Sequence, residues 1–207
     1  MRILGFSHVT FCIPYDLMSF GMSLFGEGTE VQIVNHPHKK SFLRGNSTKH
    51  NLYWNRTGIE LTSYADSPEL RESDRQYIIS SLESYQRNPL NINLTISLLQ
   101  RILLRKLGAK VETSKLGWKI KGVGFLPSVT FHRSRLQITR PMPKYLDEVG
   151  LVALAFYVDS PVKFELNSKL IHFLRVSKAF DVKIINKYFG IQILRFGGIT
   201  YEFIFRR

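Results

Sequence analysis

The chain has 207 residues, 44% hydrophobic and 22% charged, with a formal net charge of +13. That balance excludes a disordered chain, and a lone cysteine, Cys12, excludes an intrachain disulfide and points to a reducing, cytoplasmic setting. No apolar run reaches the roughly 18 residues of a membrane span, so the expectation is a chain without one.

Residues 3–14 alternate with the period of a strand, placing Ile3, Val9, Phe11 and Ile13 on one face and Phe6, His8, Thr10 and Cys12 on the other. His8 and Pro14 interrupt the stretch and no small-residue cleavage site follows, which argues against a signal peptide. Residues 15–26 predict a helix with Asp16 as N-cap and Gly26 as stop. Strands are expected over 29–34, 50–55 and 58–64, with HPHKK and RGNST as a polar break. In the last of these, Ile59 and Leu61 oppose Glu60, Thr62 and Tyr64. The order is strand, helix, strand, strand, strand.

Ser67 and Pro68 open a second helix running to about residue 86, and a third is expected over 94–107, stopped by Gly108. Residues 110–138 read as basic strands punctuated by Gly117, Gly122, Gly124 and Pro127, and the prolines in 139–144 mark a turn or linker. The opening pattern then returns. Residues 151–159 form a strand with Val152, Leu154, Phe156 and Val158 on its packing face. An amphipathic helix over 161–180 follows, then strands over 182–188, 191–196 and 199–205, with Glu202 opposite Ile199, Tyr201, Phe203 and Phe205. A pattern met twice in one chain is stronger evidence than either copy.

This repeated order, with GFSHVTFCIPYD at the first strand and GIELTSY closing the first half, resembles the glyoxalase/bleomycin-resistance/extradiol-dioxygenase (vicinal oxygen chelate) superfamily. The resemblance covers 3–66 and about 150–207. It implies an α+β fold in which two βαβββ modules, 1–66 and 150–207, form a cupped mixed sheet around a cavity. Residues 67–149 would be a helical and β-rich basic insertion or linker. By position His8 matches the family's first-strand histidine, Glu60 its fourth-strand glutamate and Glu202 the second such carboxylate. Glu202 stands two residues further from Gly198 than Glu60 does from Gly58, and Ala153 occupies the place of the remaining ligand. One imidazole and two carboxylates with open positions would suit Fe(II), Mn(II) or Zn(II), polarising substrate oxygens as a Lewis acid or, for iron, binding dioxygen. Glu60 and Glu202 double as candidate catalytic carboxylates, and Tyr64 and Tyr157 are candidate hydrogen-bond donors on the cavity face. The implied activity is of lyase, isomerase or dioxygenase type on a small anionic, oxygen-bearing substrate, and a homodimer is compatible with it. Family members that only bind a ligand lack metal residues, so the alternative is a metal-free binding or sequestration protein.

Each of these residues also has a plainer account. His8 alone would be a hydrogen-bonded histidine in a cavity wall, Glu202 a partner for a nearby cation, and Cys12 a small buried thiol rather than a nucleophile. His36, His38 and His50 fit a proline-bearing polar turn better than a second metal site. The basic excess is uneven: 67–149 hold 14 basic and 7 acidic residues, against 6 and 5 in 1–66 and 9 and 4 in 150–207. Such an excess attracts anions. Lys119, Lys121, Arg133 and Arg135, with His132 and the aromatics Trp118, Phe125 and Phe131, therefore support a third reading, a nucleic-acid or acidic-protein partner. Against it, the aromatics are expected to point inward. No dinucleotide, Walker, zinc-finger or nucleophile-elbow motif is present.

Overall fold

The computed structural model describes residues 1–25, 31–33, 41–45, 58–63, 70–94, 96–114, 117–132, 150–161, 181–184, 189–196 and 199–206. It is an α+β structure with two mixed sheets and, among the described residues, three α-helices. The strands are β1 (Ile3–Cys12), β2 (Val31–Ile33), β3 (Ser41–Gly45), β4 (Gly58–Ser63), β5 (Asn91–Asn93), β6 (Val111–Ser114), β7 (Gly117–Ile120), β8 (Val129–His132), β9 (Gly150–Val158), β10 (Asp181–Ile184), β11 (Phe189–Phe196) and β12 (Ile199–Arg206). The helices are α1 (Met18–Phe25), α2 (Glu72–Arg87) and α3 (Leu98–Lys106). No helix among the described residues is long and apolar enough to cross a membrane.

The larger sheet has the order β10-β11-β12-β9-β1-β4-β3-β2. Read outward from its centre, each half places its first strand innermost, then its last, then the two between. In both halves the first and last strands are parallel, β1 with β4 and β9 with β12. The halves meet where β1 and β9 run antiparallel. One apolar face of this sheet, carrying Val9, Phe11, Ile59, Leu61, Leu154, Phe156, Tyr201 and Phe203, joins one continuous core with α1, α2, α3 and the smaller sheet β5-β8-β7-β6. Tyr85 of α2 shows how the layers lock: its ring lies 5.8 Å from Phe11, and its hydroxyl donates to the Gly58 carbonyl at 2.8 Å, at the start of β4.

Several local expectations need correction. Phe6 lies in the core, fully buried and edge-on to Phe156 at 5.8 Å, not on the His8 face. The cause is a pair of irregularities in β1: Phe6 stands opposite Phe156 but His8 opposite Ala155, so Ser7 is an extra residue, and a similar shift falls between Ile3 and Gly5. Such bulges re-aim side chains, here turning Phe6 inward while keeping His8 outward. A strand at Ser41–Gly45, not expected there, follows HPHKK directly, takes in Arg44 and Gly45 of RGNST and pairs with β4. The strand expected over 50–55 lies outside the described residues. Helix α2 starts at Glu72 after a non-helical Arg71 whose guanidinium bonds Asp74, and Ser67 and Pro68 lie outside the described residues. Helix α3 starts at Leu98, not 94. Ser97 and Gln100 form a reciprocal capping box there, and β5 fills the chain just before it. The helix expected over 161–180 lies outside the described residues apart from Pro161.

Beyond the reach of β4, the first half of β1 is taken up by the segment between β7 and β8. Val123 N donates to Leu4 O at 2.6 Å, and Phe6 N donates to Pro127 O at 3.0 Å. Gly5 permits this approach, since a Cβ there would sit 2.5 Å from Leu126 Cβ and 3.2 Å from Pro127 O. Gly5→Ala is therefore expected to lower stability by about 1–3 kcal/mol through overpacking, measured by denaturant unfolding. An unchanged midpoint would contradict the close contact.

Candidate metal centre

On the face of the large sheet away from α1, α2 and α3, three side chains from three strands converge. His8 comes from β1, Glu60 from β4 and Glu202 from β12. Strand alternation explains each: Glu60 sits between the core residues Ile59 and Leu61, and Glu202 between Tyr201 and Phe203. His8 Nε2 lies 3.1 Å from Glu60 Oε2 and 3.6 Å from Glu202 Oε2. One ligand atom from each residue falls within 4.8 Å of the others.

Two further groups support the set. Thr10 Oγ1 donates to Glu60 Oε2 at 2.8 Å, and Ser7 Oγ lies 3.1 Å from His8 Nδ1. With Nε2 facing carboxylates, the Nδ1 partner fixes the ring's orientation, as ligating histidines require. Thr10 had already been placed on the His8 face, and the strand register adds that it stands opposite Glu60. Ser7 was hidden because an unbroken alternation would have turned it toward the core.

Burial tends to lower the pKa of His8, but the adjoining carboxylates of Glu202 and Glu60 outweigh it, and the pKa is raised above its ordinary 6.5. Without a metal, a proton on His8 thus offsets part of the two glutamates' charge. With a metal, the same three groups fit a divalent ion. Donors about 2.1 Å from an ion stand about 3.0–3.5 Å apart when adjacent in octahedral or tetrahedral geometry. Both His8 distances fall close to that span. Two carboxylates also match the charge of a divalent cation.

The other expected site residues are placed less decisively. Tyr157 is half-buried and packs with Ala155 and Ile204 on the site's face of β9 and β12. Tyr64, Arg133 and Arg135 lie outside the described residues. Lys119 is exposed, and Lys121 pairs with Glu112. Trp118 and Phe131 are buried and stacked at 4.5 Å, while Phe125 is exposed. His132 Nε2 lies 3.1 Å from Asn91 Oδ1, and Cys12 is buried.

No protein-family model matches the chain, and no curated protein matches it. Among solved structures it is similar to methylmalonyl-CoA epimerase from Mycobacterium tuberculosis, at 10% identity and a TM-score of 0.36, covering 99% of this chain and 89% of that one. It is also similar to a mutant 4-hydroxymandelate synthase from Streptomyces coelicolor, at 14% identity and a TM-score of 0.30, covering 99% of this chain and 63% of that one. A catechol 2,3-dioxygenase matches at 10% identity and a TM-score of 0.23, covering 98% and 69%. No activity is carried over from them.

A raised His8 pKa has a definite sign for stability. In chelator-treated protein its contribution is fully present below the unfolded value of about 6.5 and is lost as pH rises through the higher folded value. Proton NMR, with His8 assigned by its loss in His8→Gln, is expected to show a titration midpoint above 6.5. A midpoint below that would contradict the geometry.

Proposed function

We propose that the chain is a vicinal-oxygen-chelate protein of two βαβββ modules. It holds one divalent metal on His8, Glu60 and Glu202, and a small anionic, oxygen-bearing molecule is its ligand. The observation that carries this reading is the convergence of one imidazole and two carboxylates from β1, β4 and β12 within 4.8 Å, in a nearly solvent-free setting. Buried carboxylates without a cation to answer them are costly, and such groups are found paired or coordinating metals.

The bound metal, Fe(II), Mn(II) or Zn(II), would supply Lewis acidity toward a substrate oxygen. The chain's own part is positioning. Ser7 holds the His8 ring, Thr10 holds the carboxylate of Glu60, and the parallel β9–β12 pair delivers Glu202 from the second half. Glu60 and Glu202 are the groups that would hold or move a proton beside the ligand, with Tyr157 and Tyr64 offered as hydrogen-bond donors. A metal-free binding protein is the second reading. It draws support from His8 itself, whose proton between two carboxylates makes a self-consistent site without an ion.

Elemental analysis of protein purified without chelator decides between them. The expected result is about one equivalent of metal in the wild type and little or none in His8→Ala or Glu60→Gln. Thr10→Val, which keeps the shape but removes the donor, is expected to weaken metal retention by about 10–100-fold. A wild type that holds no metal, even after incubation with Mn(II), Fe(II) or Zn(II), leaves the metal-free reading.

A further inference from the structure

Apart from Leu98, Phe125 is the exposed large apolar side chain among the described residues, and it is 88% exposed. It stands at the tip of a tight turn, where Leu126 N donates to Val123 O at 3.3 Å and Gly124 takes a φ of +63°, which glycine adopts without strain. Both stems of the turn are pinned to β1, by Val123 N on Leu4 O and by Phe6 N on Pro127 O. The apex, residues 123–127, carries no polar side chain. A phenyl ring held in water on a pinned turn gains nothing in the isolated chain.

Cations gather beside it. Lys121 N donates to Lys110 O, extending the β6–β7 ladder by one pair. The register then puts Lys110, Glu112, Lys119 and Lys121 on the outward face, while Trp118 and Ile120 are buried beneath. Lys110 and Lys121 are directly opposite one another, an arrangement of like charges that costs stability. Glu112 pairs with Lys121, and no acidic group among the described residues pairs with Lys106, Lys110 or Lys119. Two residues before Lys110, Gly108 lies so close to the backbone of Met1 and Arg2 that a Cβ there would stand 2.7 Å from Met1 O. That contact sets the exposed Lys106, at the end of α3, beside the start of β1, the strand that also holds the Phe125 turn.

We propose that the Phe125 turn is the insertion point of a surface that binds an anionic lipid bilayer. Phe125 and Leu126 enter the headgroup boundary, and Lys106, Lys110, Lys119 and Lys121 meet the acidic headgroups. An apolar wedge and surrounding lysines divide the work in such binding: the wedge supplies burial, and the cations supply attraction that falls off within a Debye length. Nucleic acid suits this surface less. Trp118 and Phe131 are buried against each other, so bases would find one ring rather than a row of them. A second copy of the chain is opposed by its own net charge of +13. The inference is independent of the metal reading.

The test is co-sedimentation of the full chain with vesicles of phosphatidylcholine alone and of an equal mixture with phosphatidylserine. Binding is expected to the mixture and not to phosphatidylcholine, and it should weaken as salt rises. Phe125→Ser is expected to weaken it at least about tenfold, and Lys110→Gln about fivefold. Both side chains are exposed, so the thermal unfolding midpoint should not fall in either variant. A nitrobenzoxadiazole dye on Phe125→Cys, selective because Cys12 is buried, is expected to brighten and shift to the blue on the mixed vesicles. No binding to the mixed vesicles overturns the proposal, as does binding that Phe125→Ser leaves intact. A dye that answers single-stranded DNA or polyglutamate but not the vesicles overturns it in favour of another polyanion.

Discussion

The antiparallel pairing of β1 with β9 is the constraint on which the site depends. His8 and Glu60 belong to one half of the chain and are brought together by the β1–β4 pair alone. Glu202 is 194 residues from His8 in sequence and reaches it only because β9 pairs with β1 on one side and β12 on the other. A one-residue slip in that pairing would turn a strand's whole set of side chains to the opposite face. Register is held by what the other face buries: Leu154, Phe156 and Val158 of β9, and Tyr201, Phe203 and Phe205 of β12, all in the common core. The apolar face thus fixes the chemistry of the polar one.

The bulges in β1 serve the same end. A strand alternating without interruption from Ile3 would place Phe6 beside His8 and Ser7 in the core. The extra residue at Ser7 instead sends Phe6 inward against Phe156 and leaves the Ser7 hydroxyl at His8 Nδ1. Just before that bulge, Phe6 N is tied to Pro127 O. The segment between the two module-like stretches therefore does more than link them. It packs beneath the large sheet and pairs with the part of β1 that β4 leaves uncovered.

Much of this was legible in the residues. Strand alternation was enough to set Glu60 and Glu202 apart from the apolar residues on either side of them. Glu202 looked misplaced when counted from Gly198, because the count began at the wrong residue: the register makes Thr200, not Gly198, the counterpart of Gly58. Bulges were not legible, since they leave the letters unchanged while shifting parity, and Phe6 was misassigned for that reason. The strand at Ser41–Gly45 was not anticipated, because its last two residues, Arg44 and Gly45, belong to a run that reads as a polar break. The start of α3 was legible and overlooked: Ser97 followed by Gln100 is the spacing of a capping box.

Anomalous diffraction from crystals grown with Mn(II) tests the central claim most directly. The account predicts a single strong peak about 2.0–2.3 Å from His8 Nε2 and from one oxygen each of Glu60 and Glu202, with Thr10 still on Glu60. A metal peak elsewhere, or none while His8 stays between the two carboxylates, would contradict it.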